Sequence, residues 1–209
     1  MSTRAYGQAC SVARFLDRLG SRWTLLIVRD LLVGPRRFKE LLANAPTMGP
    51  NLLTSRLKEL VELGIAQKDG HSYSLTDAGR DLEPVILGMS RWSLSHLQID
   101  ADSPGTTRPD LLVVAFRAAF NPAYAVGINE EYEFLVDDVT FYARVSDGEL
   151  ETELGPAENP AFVMTASSET FDLLGGGALD IKEAMRDGRI FVSGDQAAFA
   201  RFAVIFSGE

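Results

Sequence analysis

Asn51, Leu52, Thr54, Ser55, Arg56 and Lys58 fall within eight consecutive positions. Together they carry the groups that read a nucleic-acid duplex. Amide and hydroxyl groups pair with base edges or phosphates, and guanidinium and ammonium groups pair with guanine or phosphate. A helical wheel at about 100° per residue puts Leu53, Leu57, Leu60 and Val61 on one arc, facing a core. Asn51, Leu52, Ser55, Lys58, Glu59 and Glu62 fall on the opposite side. An outward Leu52 suits a thymine methyl better than it suits water.

A second set has a different chemistry. Ten of the twelve phenylalanines lie after residue 100. Phe116, Phe120, Phe134, Phe141, Met164, Phe171, Leu174, Met185, Phe199, Phe202 and Phe206 are an apolar group large enough to line a small-molecule cavity. The same side chains at helical spacing also make an ordinary core, and both readings stand at this point. A catalytic constellation is not visible. The histidines are His71 and His96 alone; His71 reads as an exposed turn residue, and Trp23 and Trp92 read as core or dimer packing. No Ser/His/Asp order, phosphate-cradling Gly-Lys-Ser/Thr loop or metal-ligand spacing occurs, and Gly175-Gly176-Gly177 lacks the lysine of a phosphate loop. Glu149, Glu151 and Glu153 alternate along one segment and read as a solvated strand face. The expectation is no enzyme, no cofactor and no metal. Cys10 is the single cysteine. Arg4, Arg14, Arg18 and a helix N-terminus could favour its thiolate and make it a redox candidate; the plainer reading is a semi-buried residue opening a helix.

These side chains need elements to hold them. Val12, Phe15, Leu16 and Leu19 form one face of a helix closed by Gly20. Ser21 can cap a second helix from Arg22 to about Val33, before Gly34-Pro35. A third starts near Arg37 with Phe38, Leu41 and Leu42. Ala45–Pro50 is a breaker that contains Thr47, and a fourth helix runs from Asn51 to Leu63. Ile65–Lys68, a turn Asp69-Gly70-His71, and Ser72–Leu75 read as a hairpin. Thr76 then caps a long helix. Helix, turn, helix and hairpin in that order is a winged helix-turn-helix. In the second half, Pro109–Phe120 reads as a helix. A meander of about four strands follows (132–136, 140–145, 149–154, 161–166), turned at Asp137-Asp138 and Asp147-Gly148. Next come a helix capped by Ser167 or Ser168, a helix capped by Asp180 with Glu183 three residues on, a fifth strand over 189–193, and a last helix capped by Asp195. The fold class is α+β.

Composition supports two domains. Of 209 residues, 46% are hydrophobic and 23% charged, which excludes disorder as the main state. Residues 1–100 hold 13 Lys+Arg against 10 Asp+Glu, a net of +3; the remainder holds 7 against 19, a net of −12. The basic half suits a polyanion that the acidic half would repel. The expected boundaries are a DNA-binding and dimerisation domain over 1–99, a turn-rich linker over 100–109, and an effector domain over 110–209. No apolar run is long enough for a membrane helix, and the arginines near the N-terminus argue against a signal peptide; a cytoplasmic location is expected.

The segments LDRLGSRWTLLIVRDLLVGPRRFKEL, NLLTSRLKELVELGI and YSLTDAGRDLEPVI resemble the HxlR family of bacterial winged-helix transcription regulators over about residues 10–95. That resemblance implies a homodimer on an inverted-repeat operator in double-stranded DNA. It puts Asn51–Lys58 in the major groove, the Lys68–Tyr73 hairpin (Lys68, His71, Tyr73) near the backbone, and Arg36 and Arg37 on phosphate. Thr47 joins this contact set. It also implies that the N-terminal helix and the helix after the wing build the dimer. Family members often carry a cysteine followed by proline at the Cys10 position, and some use it to sense oxidants; Ser11 replaces the proline here. The run MTASSETFDLL, followed by GGGALDIKEAMRDGRIFVSGDQAAFARF, resembles sterol carrier protein type 2-like domains over about residues 109–206. This implies a five-stranded sheet, helices on one face, and an apolar tunnel. The combined expectation is a repressor answering to an apolar small-molecule effector. The alternatives are a lipid or sterol carrier whose winged helix only dimerises, and a thiol-based redox regulator acting through Cys10.

Overall fold

The structure is a computed structural model that describes residues 5–97 and 108–207. Most of the expected linker, 100–107, lies outside the described residues, as does Arg4. The chain divides into two compact units, residues 1–86 and 87–209.

The first unit opens with α1 (Ser11–Leu19) and α2 (Thr24–Val33), then β1 (Arg36–Arg37), α3 (Phe38–Ala43) and α4 (Pro50–Glu62). β2 (Ala66–Asp69), β3 (Ser72–Leu75) and α5 (Asp77–Arg80) follow, and α6 (Glu83–His96) carries the chain across the division. Its core is Ile27, Val28 and Leu31 of α2, Leu41 of α3, Leu53, Leu57 and Leu60 of α4, and Ala66 and Leu75 of the sheet, all buried.

Several local expectations change. Ser21 does not cap α2 with its side chain. Its carbonyl accepts the Thr24 N–H at 3.1 Å, and Trp23 precedes the helix in a left-handed conformation, φ 80°. Such a φ is uncommon for a bulky residue. On α1, Ala13 and Leu19 are buried, whereas Val12 and Leu16 of the expected inner face are exposed. Val61 on α4 is exposed too, because the buried stripe follows the tighter spacing 53, 57, 60. The wing has three strands in the order β1-β3-β2, not two. Its loop is the pair Gly70-His71, since Asp69 already pairs with Ser72; Gly70 at φ 56° takes the first central position, where a two-residue hairpin turn needs glycine.

Thr76 caps α5 rather than a long helix. Its hydroxyl accepts the Gly79 N–H at 3.2 Å and donates to the Ile65 carbonyl at 3.1 Å. A Cβ on Gly79 would collide with that carbonyl. Gly79→Ala should therefore destabilise the first unit by about 1–3 kcal/mol, the usual cost of overpacking, read as a lower midpoint in denaturant.

The second unit contains α7 (Leu112–Ala119), β4 (Asn129–Val136), β5 (Val139–Ser146), β6 (Glu149–Leu154) and β7 (Phe162–Ala166). It continues with α8 (Ser168–Gly175), α9 (Ile181–Arg186), β8 (Ile190–Gly194) and α10 (Gln196–Ser207). The caps fall as expected: Ser167 on α8, Asp180 on α9, and Asp195, which accepts the Ala197 N–H at 2.8 Å at the start of α10.

The strand order is β6-β5-β4-β7-β8. The expected four-strand meander is therefore three strands, and β7 leaves it to pair parallel with β4. The reason lies on β4. Its outward carboxylates tether the connection after β6: Glu133 accepts the Ala157 N–H at 2.8 Å, and Glu131 accepts that of Asn159 at 3.0 Å. The Glu131 carbonyl then accepts the Ala161 N–H at 2.7 Å. Arg144 of β5 bridges Glu131 and Glu151 of β6, at 2.6 Å each. Glu149, Glu151 and Glu153 are exposed, as a solvated face requires.

The Asn159 N–H, then Arg144, hold the Glu131 carboxyl below its ordinary value of 4.5. A depressed folded-state pKa contributes stability above the unfolded value and loses it as pH falls through the folded one. Glu131→Gln should flatten the acid limb of a stability-versus-pH curve below about pH 4.5 and leave its slope near neutrality unchanged.

The inner face alternates with these polar positions. Tyr132, Phe134 and Val136 of β4 and Phe141, Ala143 and Val145 of β5 are fully buried, in one core with Val113, Phe116, Ala184, Ala198, Phe199, Phe202 and Ile205 from the helices. The helices thus cover one face of the sheet. No helix among the described residues is long and apolar enough to cross a membrane.

Candidate functional site

The first candidate surface is built on α4 and the wing. Pro50 at the first helical position starts α4, with φ already suited to it, and Leu53, Leu57 and Leu60 fix its inward face. Asn51, Thr54, Ser55 and Lys58 are exposed, Leu52 and Arg56 are half-buried, and Thr47 is exposed in the preceding turn. Glu59 organises this face. It accepts from Ser55 Oγ at 3.1 Å and pairs with Arg56 at 2.5 Å. The Arg56 side chain is only 18% exposed, so it is less available to a partner than its position on the wheel implied. Lys58 lies 3.6 Å from Glu62, and both are well exposed; such a pair exchanges easily for a phosphate.

The third wing strand is what sequence reasoning missed here. Arg36 pairs with Tyr73 and Arg37 with Ser72, so β1 sets the two arginines beside the hairpin in one sheet. Lys68, on β2, pairs with Tyr73 across β3 and stands 5.7 Å above its ring. The register puts half-buried Arg36 with Tyr73 and exposed Lys68 on one face of the sheet and exposed Arg37 on the other, with His71 exposed at the hairpin tip. A two-residue strand has no period to detect, which is why β1 left no signal.

Cys10 is exposed rather than semi-buried. It is the N-cap of α1, and its sulfur accepts the Ala13 N–H at 3.3 Å.

The second candidate is a cavity of about 490 Å³ in the second unit, within the range of small-molecule sites. Phe116, Met164, Phe171, Leu174, Phe202 and Phe206 line it. The other predicted residues do not. Phe134 and Phe141 are sealed in the core below, their rings 4.8 Å apart. Phe199 packs on Phe162 at 5.4 Å, and Phe120 on Phe206 at 5.8 Å. Met185 packs against the core from α9. Sequence reasoning missed Leu112, Leu179 and Ile181, which lacked an aromatic label, and Leu94, which it assigned to the other domain. It also missed two carboxylates, Asp172 and Asp180. Burial, with Glu169 adding to it, pushes the Asp172 carboxyl above its ordinary pKa.

Comparison with known proteins bears on both halves. Residues 18–101 match the family described as HxlR-like helix-turn-helix. An HTH-type transcriptional regulator of Bacillus subtilis, YvaP, is 39% identical over 85 residues, which are 37% of this chain and 79% of that protein. The chain belongs to the HxlR-like helix-turn-helix family. Its curated relatives carry the name of transcriptional regulators. One from Mycobacterium tuberculosis is 43% identical over 94 residues, 42% of this chain; the chain spans 59% of that relative's length. Among solved structures, quinone-bound YodB from B. subtilis is 35% identical, covering 39% of this chain and 93% of that one, with a TM-score of 0.38. Residues 116–207 match the SCP-2 sterol transfer family. This HxlR-family chain thus joins a winged helix to a sterol-transfer-type domain.

Proposed function

We propose that this chain is a dimeric, sequence-specific DNA-binding repressor that works in the cytoplasm and answers to an apolar small molecule held by its second unit. The observation that carries the reading is the exposed polar face of α4, Asn51, Thr54, Ser55 and Lys58, in the same unit as a sheet whose exposed cations are Arg37 and Lys68. The α4 residues would enter the major groove and the sheet cations would hold phosphates.

Dimerisation is supported by apolar side chains left in water. Val85, Met89 and Trp92 recur at helical spacing along α6, each at least 40% exposed, and Val12 and Leu16 are exposed on α1. Exposed apolar side chains recurring at helical spacing are the mark of an association surface. A two-fold dimer would read an inverted repeat with half-site centres about 34 Å apart. The cavity supports an effector role. Leu94 of α6 lines it, and Arg91 of α6 donates to the Ala118 carbonyl of α7 at 2.7 Å. A ligand that shifts this wall would bias α6, given different affinities for two states.

Selection from a randomised duplex library tests the reading. The expected product is an inverted repeat bound by two chains. Recovery of no sequence above background would favour the carrier alternative, in which the winged helix only dimerises. The thiol alternative rests on the exposed sulfur at the N-cap of α1; under it, Cys10→Ser would abolish a peroxide effect on DNA binding.

A further inference from the structure

The two hydroxyls on the exposed face of α4 have already committed their protons. Thr54 Oγ1 donates to the Pro50 carbonyl at 2.9 Å, one turn back along the helix. Ser55 Oγ donates to Glu59 Oε1 at 3.1 Å, one turn ahead. The other carboxylate oxygen of Glu59 accepts from Arg56 Nη1 at 2.5 Å. A hydroxyl carries one proton and two lone pairs. With that proton held inside the helix, an exposed hydroxyl presents only acceptor capacity to a partner. Both residues are exposed.

Resting on the reading of α4 as the helix that enters the major groove, we propose that Ser55 determines specificity by accepting a hydrogen bond from an exocyclic amino group, adenine N6 or cytosine N4. Glu59 is the positioning residue that sets this polarity. Phosphate oxygens are acceptors, so Ser55 cannot hold the DNA backbone without breaking its bond to Glu59. Guanine O6, thymine O4 and the purine N7 atoms are acceptors too and are refused for the same reason, whereas amino groups are the donors of the major groove. Turning the Ser55 proton outward would leave Glu59 Oε1 without that donor beside a polyanion. Glu59 therefore selects against acceptors as well as for donors. Thr54, with its proton equally committed, reinforces the same polarity.

Selection from the randomised duplex library, with the full chain and with its Ser55→Ala variant, locates the base pair that Ser55 reads as the position whose preference the variant loses. Alanine suits an exposed helix position, so the variant should fold. On the selected duplex that pair is then altered one group at a time. Purine for adenine, or pyrimidin-2-one for cytosine, deletes the amino group. 2-Aminopurine for guanine, or 5-methylpyrimidin-2-one for thymine, deletes the carbonyl. Deleting the amino group should weaken binding by the unmodified chain about fivefold, the worth of one hydrogen bond, and deleting the carbonyl by less than about twofold. Ser55→Ala should respond equally to both, with an unchanged salt slope because no phosphate contact is lost. Glu59→Gln should remove the bias. Arg56 has only donors and takes the amide oxygen, which turns the amide nitrogen toward Ser55 and releases the hydroxyl proton to the groove. A carbonyl deletion that costs the unmodified chain more than the amino deletion would overturn the proposal and leave the groove reading standing. A Ser55→Ala variant that lowers the salt slope and changes no base preference would do the same. An undiminished bias in Glu59→Gln would overturn the role of Glu59. Recovery of no sequence above background by the unmodified chain would overturn both the proposal and the reading on which it rests.

Discussion

Arg37→Ala combined with Lys68→Ala should lower affinity for the selected operator by on the order of a hundredfold and reduce the salt slope of binding by about two. Arg37 is exposed on β1 and Lys68 is exposed on β2 of the same three-stranded sheet. Neither side chain anchors the core, so the fold should survive both changes. A hydrogen bond to a charged group contributes about 1.5–3 kcal/mol, and each lost phosphate contact takes about one from the slope of log K against log salt. Sequence preference should be unchanged, because phosphate contacts position the protein and base contacts specify the site. Arg56→Ala is expected to act less, because Glu59 already holds that guanidinium. Fluorescence anisotropy at three salt concentrations measures both quantities. A slope identical to that of the unmodified chain would remove the sheet from the interface.

Phe134→Ala should destabilise the second unit by about 3–5 kcal/mol, the range for deleting a buried aromatic ring. Phe134 is fully buried at the centre of the sheet. Its ring lies 4.6 Å from that of Phe116, 4.8 Å from Phe141 and 5.5 Å from Phe202. Removing it leaves a void that three neighbouring rings cannot close without leaving their own contacts. Domains are stable by only about 5–15 kcal/mol, so much of that margin would go. Calorimetry should show the loss, and cavity binding should weaken with it, because Phe116 and Phe202 line the cavity above. A change under about 1 kcal/mol would mean that the second unit repacks freely and that its cavity is not pre-formed.

Helix α4 and its inward leucines were legible because thirteen residues carry a full 3.6-residue period. The caps at Ser167, Asp180 and Asp195 were legible because short polar side chains before an apolar run have few other uses. The strand β1 was not, since two residues show no alternation. The parallel pairing of β4 with β7 was hidden because it depends on Glu131 and Glu133 reaching N–H groups more than twenty residues away. Phenylalanine content announced an apolar interior without separating wall from core. Phe116 and Phe134 look alike in sequence and touch in space, yet only Phe116 lines the cavity. Asp172 was invisible as a cavity residue, because an acidic residue on a short helix ordinarily faces water.

The central claim is that one chain both reads DNA and answers to a molecule in its cavity. Operator affinity measured by anisotropy across a titration with decanol, an apolar probe, tests it most directly. The ligand should weaken specific binding at least fivefold, with a midpoint at its own dissociation constant, and a cavity-filling Leu174→Trp variant should abolish the response. Specific DNA binding that stays constant while the cavity saturates would contradict it.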